Sequence, residues 1–283
     1  MRAARTLTLL LLGCAASAAA AQEPLLLRIN PAAGQIMHYR TDVDAWLNTP
    51  LLPQGDPALP TFRIALFTNR TATHPDSGMI IFTDVTDSSR FEMPRIRDVQ
   101  PQLAASGDYM RGMRTETLVD QRGRSVSTRV LTAPAMPQDL PVLIRGMQSL
   151  ALTGQRLSTF NFPDRAISPG DTWTDSVRYD LGGDQSIAPA LVTGGGAGLA
   201  NFRFERLEQR GAVQVAVLSA TGRVSAGAQD VVASSTLVVS ATAQMDIDVA
   251  TGLVLRSQMD MQGPMASRLG TIPVRIRLVM QAR

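Results

Sequence analysis

Hydrophobic and polar residues alternate along most of this chain. In the clearest run, Thr236 to Val249, one parity holds Leu237, Val239, Ala241, Ala243, Met245, Ile247 and Val249, and the other holds Ser240, Thr242, Gln244, Asp246 and Asp248. A period of two places these sets on opposite faces of a strand, one buried and one wet. At ~3.3 Å per residue, Leu237 to Val249 makes a strand of about 40 Å, longer than a compact sandwich needs and suited to a curved sheet. Ala250-Thr251-Gly252 reads as a turn, after which Leu253, Leu255, Met259 and Met261 resume the apolar parity against Arg256, Gln258 and Asp260. The two segments predict a long antiparallel hairpin.

The habit recurs. Val274, Ile276, Leu278 and Met280 alternate with Arg275 and Arg277, Phe202 and Phe204 with Arg203 and Glu205, and Val213, Val215 and Val217 follow the Arg210-Gly211 break. Phe62, Ile64 and Leu66 do the same upstream, with weaker candidates at Met79 to Val85 and Thr115 to Val119, so that about ten strands are expected. One segment departs from the pattern. Leu140, Leu143, Ile144, Met147, Leu150 and Ala151 fall at helical spacing after Asp139, a suitable N-cap, and Pro141, tolerated in a first turn. They predict one amphipathic helix over Asp139 to Thr153, followed by a connector from Phe162-Pro163 to Pro169-Gly170. The expected fold is mainly β: long antiparallel strands in curved sheets or half-barrels, with one central amphipathic helix. The corresponding division is 1–21 a signal peptide, 22–133 an N-terminal β half, 134–169 the helix and connector, and 170–283 a C-terminal β half.

The two halves also look alike in order and spacing. Gly34 leads to Tyr39 and Asp42 as Gly170 leads to Trp173 and Asp175; Val119-Asp120 with Gly123 turns into Ser125 to Leu131 as Ile247-Asp248 with Gly252 turns into Leu253 to Met259. Phe62-Arg63-Ile64 and Phe202-Arg203-Phe204 fall between. An internal duplication is one expectation from this order, with the Gly-rich stretch Leu181 to Ala200 an insertion in the second copy; recurrence of short strand-turn motifs by chance is the other.

The N-terminus adds an address. Arg2 and Arg5, the apolar stretch Thr6 to Leu12 and Ala19-Ala20-Ala21 have the order of a secretory signal with cleavage before Gln22. The chain is therefore expected to be exported, to the periplasm or outer-membrane surface of a bacterium. Leu11-Leu12-Gly13-Cys14 also looks like a lipobox, and the alternative is a lipoprotein that begins at Cys14. Otherwise the single cysteine leaves with the signal and no disulfide supports the fold. Loss of Arg2 and Arg5 lowers the formal charge from +3 to +1. The chain has no lysine, and its arginines interleave with acids, which argues against a nucleic-acid partner. No apolar run after residue 21 approaches the ~20 residues of a spanning helix.

Candidate chemistry is sparse. His38 and His74 are the only histidines; the first sits in a predicted strand, and His74-Pro75-Asp76-Ser77-Gly78 has the composition of a turn. There is no G-x-S-x-G or H-E-x-x-H pattern, and Gly194-Gly195-Gly196-Ala197-Gly198 lacks the lysine of a phosphate loop. Neither a catalytic set, a metal site nor a cofactor is expected. Asp246 and Asp248 share the polar face of one strand, which solvation explains and which a carboxylate-based hydrolase would also use.

The element Pro169-Gly170-Asp171-Thr172-Trp173, with Asp248-Val249-Ala250-Thr251-Gly252 followed by Leu253 and Ser257, resembles a family of exported bacterial domains of unknown function. Its members carry a P-G-D-x-W start and a D-x-x-T-G hairpin. The resemblance covers most of the chain beyond the signal, rests on short turn motifs, implies a largely antiparallel fold and brings no known activity. Gly170, Asp171, Trp173, Asp248 and Gly252 are accordingly read as structural, Asp171 suiting a turn and Trp173 a core anchor. In architecture, long curved strands with a central helix are similar to the half-barrels of the periplasmic lipoprotein-localisation factors, which hold acyl chains between sheet and helix. That likeness is one of fold, and fold does not determine function.

The leading expectation is a non-enzymatic envelope protein that binds a hydrophobic small molecule, lipid or acyl chain, or a partner segment of an envelope protein. Its groove would be walled by Leu140, Leu143, Ile144, Met147 and Leu150. A structural scaffold pairing through strand edges is the alternative, and a carboxylate hydrolase a further one. An outer-membrane barrel would also alternate, but aromatics are 5% of the chain, too few for two girdles, and it ends in Gln281-Ala282-Arg283.

Overall fold

The computed structural model describes residues 23–48, 56–75, 78–95, 110–132, 161–179, 196–229, 234–267 and 270–283. Among them are eleven strands: β1 (Ile36–Leu47), β2 (Phe62–Thr73), β3 (Ile80–Glu92), β4 (Arg114–Val119), β5 (Ser125–Thr132), β6 (Thr172–Tyr179), β7 (Gly196–Arg210), β8 (Val213–Gln229), β9 (Ser234–Asp248), β10 (Val254–Ser267) and β11 (Gly270–Ala282). All pair antiparallel in one open sheet of order β5-β4-β3-β2-β1-β11-β10-β9-β8-β7-β6. Two meanders, β1 to β5 and β6 to β11, are thus joined by the pairing of the first strand with the last. Tyr39 lies opposite Ala282 and Leu47 opposite Val274.

The sequence alternation becomes the two faces of this sheet. Met37, Tyr39, Thr41, Val43 and Ala45 of β1 are buried while the residues between them are more open. In β11 Ile272, Val274, Ile276, Leu278 and Met280 are buried and Arg275 and Arg277 exposed. Register carries the apolar parity from strand to strand, as in the row Val43, Leu278, Met259, Ala243, Ala220, Phe202 and Trp173, which crosses from β1 to β6. A one-residue slip at any ladder would turn a whole strand inside out, so the continuous apolar face fixes the register.

The sheet is strongly curled. At ~4.8 Å per strand, the β4–β5 and β9–β10 turns would stand ~29 Å apart on a flat sheet. Instead, consecutive residues of one segment reach both: Ile29 N–H donates to Gln121 O (2.7 Å) and Asn30 N–H to Thr251 O (2.8 Å). The edges converge in the same place. Phe162 N–H donates to Arg122 O (2.8 Å), and the preceding Asn161 carbonyl accepts the indole N–H of Trp173 in β6 (3.0 Å). Residues 23–31 and 161–168 thus form a strap across one end of the curl, bonded to each other by reciprocal Leu25 and Ile167 backbone bonds of 2.8 and 2.9 Å. The strap seats Leu27, Ile29, Phe162 and Ile167 in the core. Gly252 permits the approach: at φ +67, a Cβ there would lie 2.1 Å from Arg28 O.

Two expectations need amendment, and a third falls where nothing is described. The helix expected over Asp139 to Thr153 lies outside the described residues. The internal duplication is not supported by the topology: among the described residues five strands precede the connector and six follow it, and β1 lies mid-sheet whereas its counterpart β6 is an edge. What the two parts share is local turn chemistry. Gly34 N–H donates to Ala72 O and Gly170 N–H to Phe204 O; Gln35 Oε1 accepts from Ala32 N–H (3.0 Å) as Asp171 Oδ2 accepts from Ser168 N–H (3.1 Å). A glycine at positive φ (77° and 94°) before a side-chain acceptor is enough to make both. Finally, Asp246, assigned to a wet face, is buried at 6% exposure. Arg210 covers it, donating from Nη1 to Asp246 Oδ2 at 2.7 Å, and Val215 and Val217 are buried on the neighbouring strand.

Candidate functional site: the concave apolar face

A single core cluster lines the inside of the curl, and its two sides differ. On β9, β10 and β11 the inward side chains include Met245, Met259, Met261 and Met280 beside Ile276 and Leu278. Eight of the ten methionines among the described residues are buried. Methionine is unbranched and polarizable, and surfaces rich in it adapt to differently shaped apolar partners. Away from the strap, the row Ile276, Met261, Ala241, Gly222 and Ala200 loses its bulk, and Ala200, Ala241 and Ala243 are only partly covered. The inner face is tightly filled beside the strap and shallow toward the other end.

On β1 to β4 the same face carries polarity. Met37, Arg70, Asp84 and Thr115 form one row across four strands. Arg70 binds Asp84 through both nitrogens of its fork, Nε to Oδ1 at 2.7 Å and Nη2 to Oδ2 at 2.9 Å. Its guanidinium lies 5.3 Å from the Tyr39 ring centroid and 5.0 Å from that of Phe82. Burial pulls the Arg70 pKa down, and the charge and hydrogen bonds of Asp84 more than reverse this, so the group stays ionised. Among the described residues the Tyr39 hydroxyl donates to the Met37 thioether, at 3.8 Å, and burial raises its pKa above the ordinary 10.0. Arg70 and Asp84 escaped the sequence reading, although each sits on the apolar parity of its strand; a charge at such a position was the signal available.

The singled-out motif residues sit at turns and against the core. Gly170 opens the turn before β6, and Asp171 accepts from Arg165 Nη1 (2.8 Å) and Ser168 N–H, which lower its carboxyl pKa. Trp173 stacks on Phe202 at 5.3 Å between ring centroids. Asp248 closes the β9–β10 turn, accepting from Ala250 N–H (3.1 Å) and Thr251 Oγ1 (2.6 Å), and Gly252 N–H donates to the Asp248 carbonyl (2.7 Å). Asp246 belongs to Arg210, so the two aspartates do not face a common reactant. His38 Nδ1 lies 2.7 Å from Asn69 Oδ1, and His74 Nε2–H donates to Pro31 O at 2.7 Å. The candidate groove residues Leu140, Leu143, Ile144, Met147 and Leu150, and Cys14, lie outside the described residues. Among those described, no helix is long and apolar enough to cross a membrane, and no three metal-ligating side chains group together.

No family model and no curated protein matches the chain. Among solved structures it is similar to a protein of Bacteroides fragilis NCTC 9343 described as exported and of YmcC-like fold, at 9% identity and a TM-score of 0.28, over 91% of this chain and 99% of that one.

Proposed function

We propose that this is an exported, non-enzymatic envelope protein that holds a hydrophobic molecule, a lipid or acyl chain, against the concave face of the curled sheet. The observation that carries the reading is a continuous apolar face, methionine-rich on β9 to β11, sealed by the strap at one end and lined by small residues toward the other. A chain of methylenes entering from the open end would gain ~0.8 kcal/mol per buried CH₂. In this reading Leu140, Leu143, Ile144, Met147 and Leu150 cover the groove, and the signal is removed after Ala21 or the protein is anchored at Cys14.

Native mass spectrometry of the protein purified from its envelope, followed by solvent extraction, tests the proposal. A stoichiometric lipid-sized adduct is expected; an apo mass, with no uptake of an added fluorescent fatty acid, would falsify it. One observation favours a scaffold as second reading: edge strand β5 exposes Val126 (58%) and Leu131 (39%), a surface suited to strand addition. An apo mass together with a concentration-dependent dimer would support that reading.

A further inference from the structure

We propose that a second site, on the outer face of the sheet, binds a small organic oxyanion, its charged group on Arg275 and its apolar body along a proline wall. It would stand whether or not the concave face holds a guest. Away from the strapped end a cavity of about 930 Å³ opens on the exposed parity, where Trp46, Arg275, Gln262 and Ser240 stand side by side across β1, β11, β10 and β9. Arg95 closes its other side, tied to the 57–59 segment by Nε donation to Leu59 O (2.8 Å) and Nη2 donation to Pro57 O (3.3 Å).

The donor set selects the ligand. Among the described residues two guanidinium groups line the cavity and no carboxylate does; the ion-pair partner Asp260 is 3.9 Å from Arg275, beyond hydrogen-bonding distance. Arg275 is more than half exposed, yet its guanidinium is held 5.0 Å from the Trp46 ring centroid, so the fork is oriented before a ligand arrives. A planar fork of that kind matches a carboxylate or phosphate oxyanion. Asn48, Gln262 and Ser240 add neutral hydrogen-bonding groups, while Pro57, Pro264 and Pro273 add apolar surface that brings no competing N–H. The volume falls in the range of small-molecule sites and far exceeds a bare inorganic ion, which assigns the remaining space to an organic body.

The two tryptophans make the test direct, because Trp46 lies in the cavity and Trp173 beside the strap. The full-length mature protein, labelled at the indole nitrogens, is titrated with benzoate, phenyl phosphate and the neutral isostere benzamide at constant ionic strength. Saturable movement of the Trp46 indole signal is expected with at least one of the two anions, at least tenfold weaker with benzamide, with Trp173 unmoved. Arg275→Gln should reduce the responding anion to the benzamide level. Ala58→Glu, at an exposed loop position lining the cavity, should do the same by supplying an internal carboxylate, and it tests the idea even if the arginine variant fails to fold. Equal response to benzamide and the anions, no response to either anion, equal movement of both tryptophans, or an unchanged isotherm in a folded variant would overturn the proposal.

Discussion

The two flanks of the concave face are built on one plan and filled by opposite rules. On β1 to β4 buried side chains include Tyr39, Thr41, Thr68, Asp84, Thr86 and Thr115, with Arg70 forked onto Asp84. On β9 to β11 the buried inward positions are Met, Ile, Leu and Val, with Ser257 as the buried polar residue. A bidentate ion pair and its aromatic neighbours admit one arrangement, because a displaced guanidinium in an apolar setting loses both its carboxylate and its water. Methionines admit many arrangements of similar energy. Under the proposed function the contrast assigns different work to the flanks: β1 to β4 hold one arrangement, and β9 to β11 supply the surface that would reshape around a guest.

Breaking the ion pair should produce the largest effect. Asp84→Ala leaves the Arg70 guanidinium without its partner, and equilibrium denaturation should show a loss of about 3–5 kcal/mol. The paired replacement Arg70→Met with Asp84→Leu removes both charges and should recover most of that loss. If the single variant is as stable as the parent, the pair does not organise this flank and the contrast fails. On the other flank Met259→Leu and Met261→Leu, nearly volume-conserving, should each cost under ~1.5 kcal/mol. By native mass spectrometry they should alter guest binding more than stability. A large stability loss with unchanged binding would mean that the methionines are fixed packing.

Much of this plan was legible because burial on one face writes a period of two into the sequence. The β9–β10 hairpin, the β11 parity and the Phe62 and Phe202 strands follow directly from it. The curl does not. It depends on residues 23–31 and 161–168 meeting two distant turns, and those contacts are backbone hydrogen bonds that leave no side-chain periodicity. The strap's one sequence trace is Gly252, which turn chemistry explains equally well until the carbonyl of Arg28 is found against it. Asp246 was misplaced for a related reason: Arg210, two strands away in the sheet, covers a face that alternation alone marks as wet. The outer cavity was invisible because Trp46, Arg275 and Gln262 become neighbours only through the register of three strands.

The smallest effect separates the flanks by pH. Burial raises the Tyr39 pKa above 10.0, so the folded state holds this proton after the unfolded chain has begun to release it. Stability from this group is complete below the unfolded value and declines as pH rises from about 10 through the folded value. Tyr39→Phe should abolish that part of the alkaline slope and change neutral stability by less than ~1 kcal/mol, since the acceptor of the hydroxyl among the described residues is a thioether. The chain is favourable for the measurement: it has no lysine and 3 tyrosines, so few groups titrate near pH 10. Thermal unfolding from pH 8 to pH 11 compares the two proteins. Parallel curves would mean that Tyr39 ionises as freely when folded as when unfolded, and that the β1 to β4 flank is wetter than its side-chain burial implies.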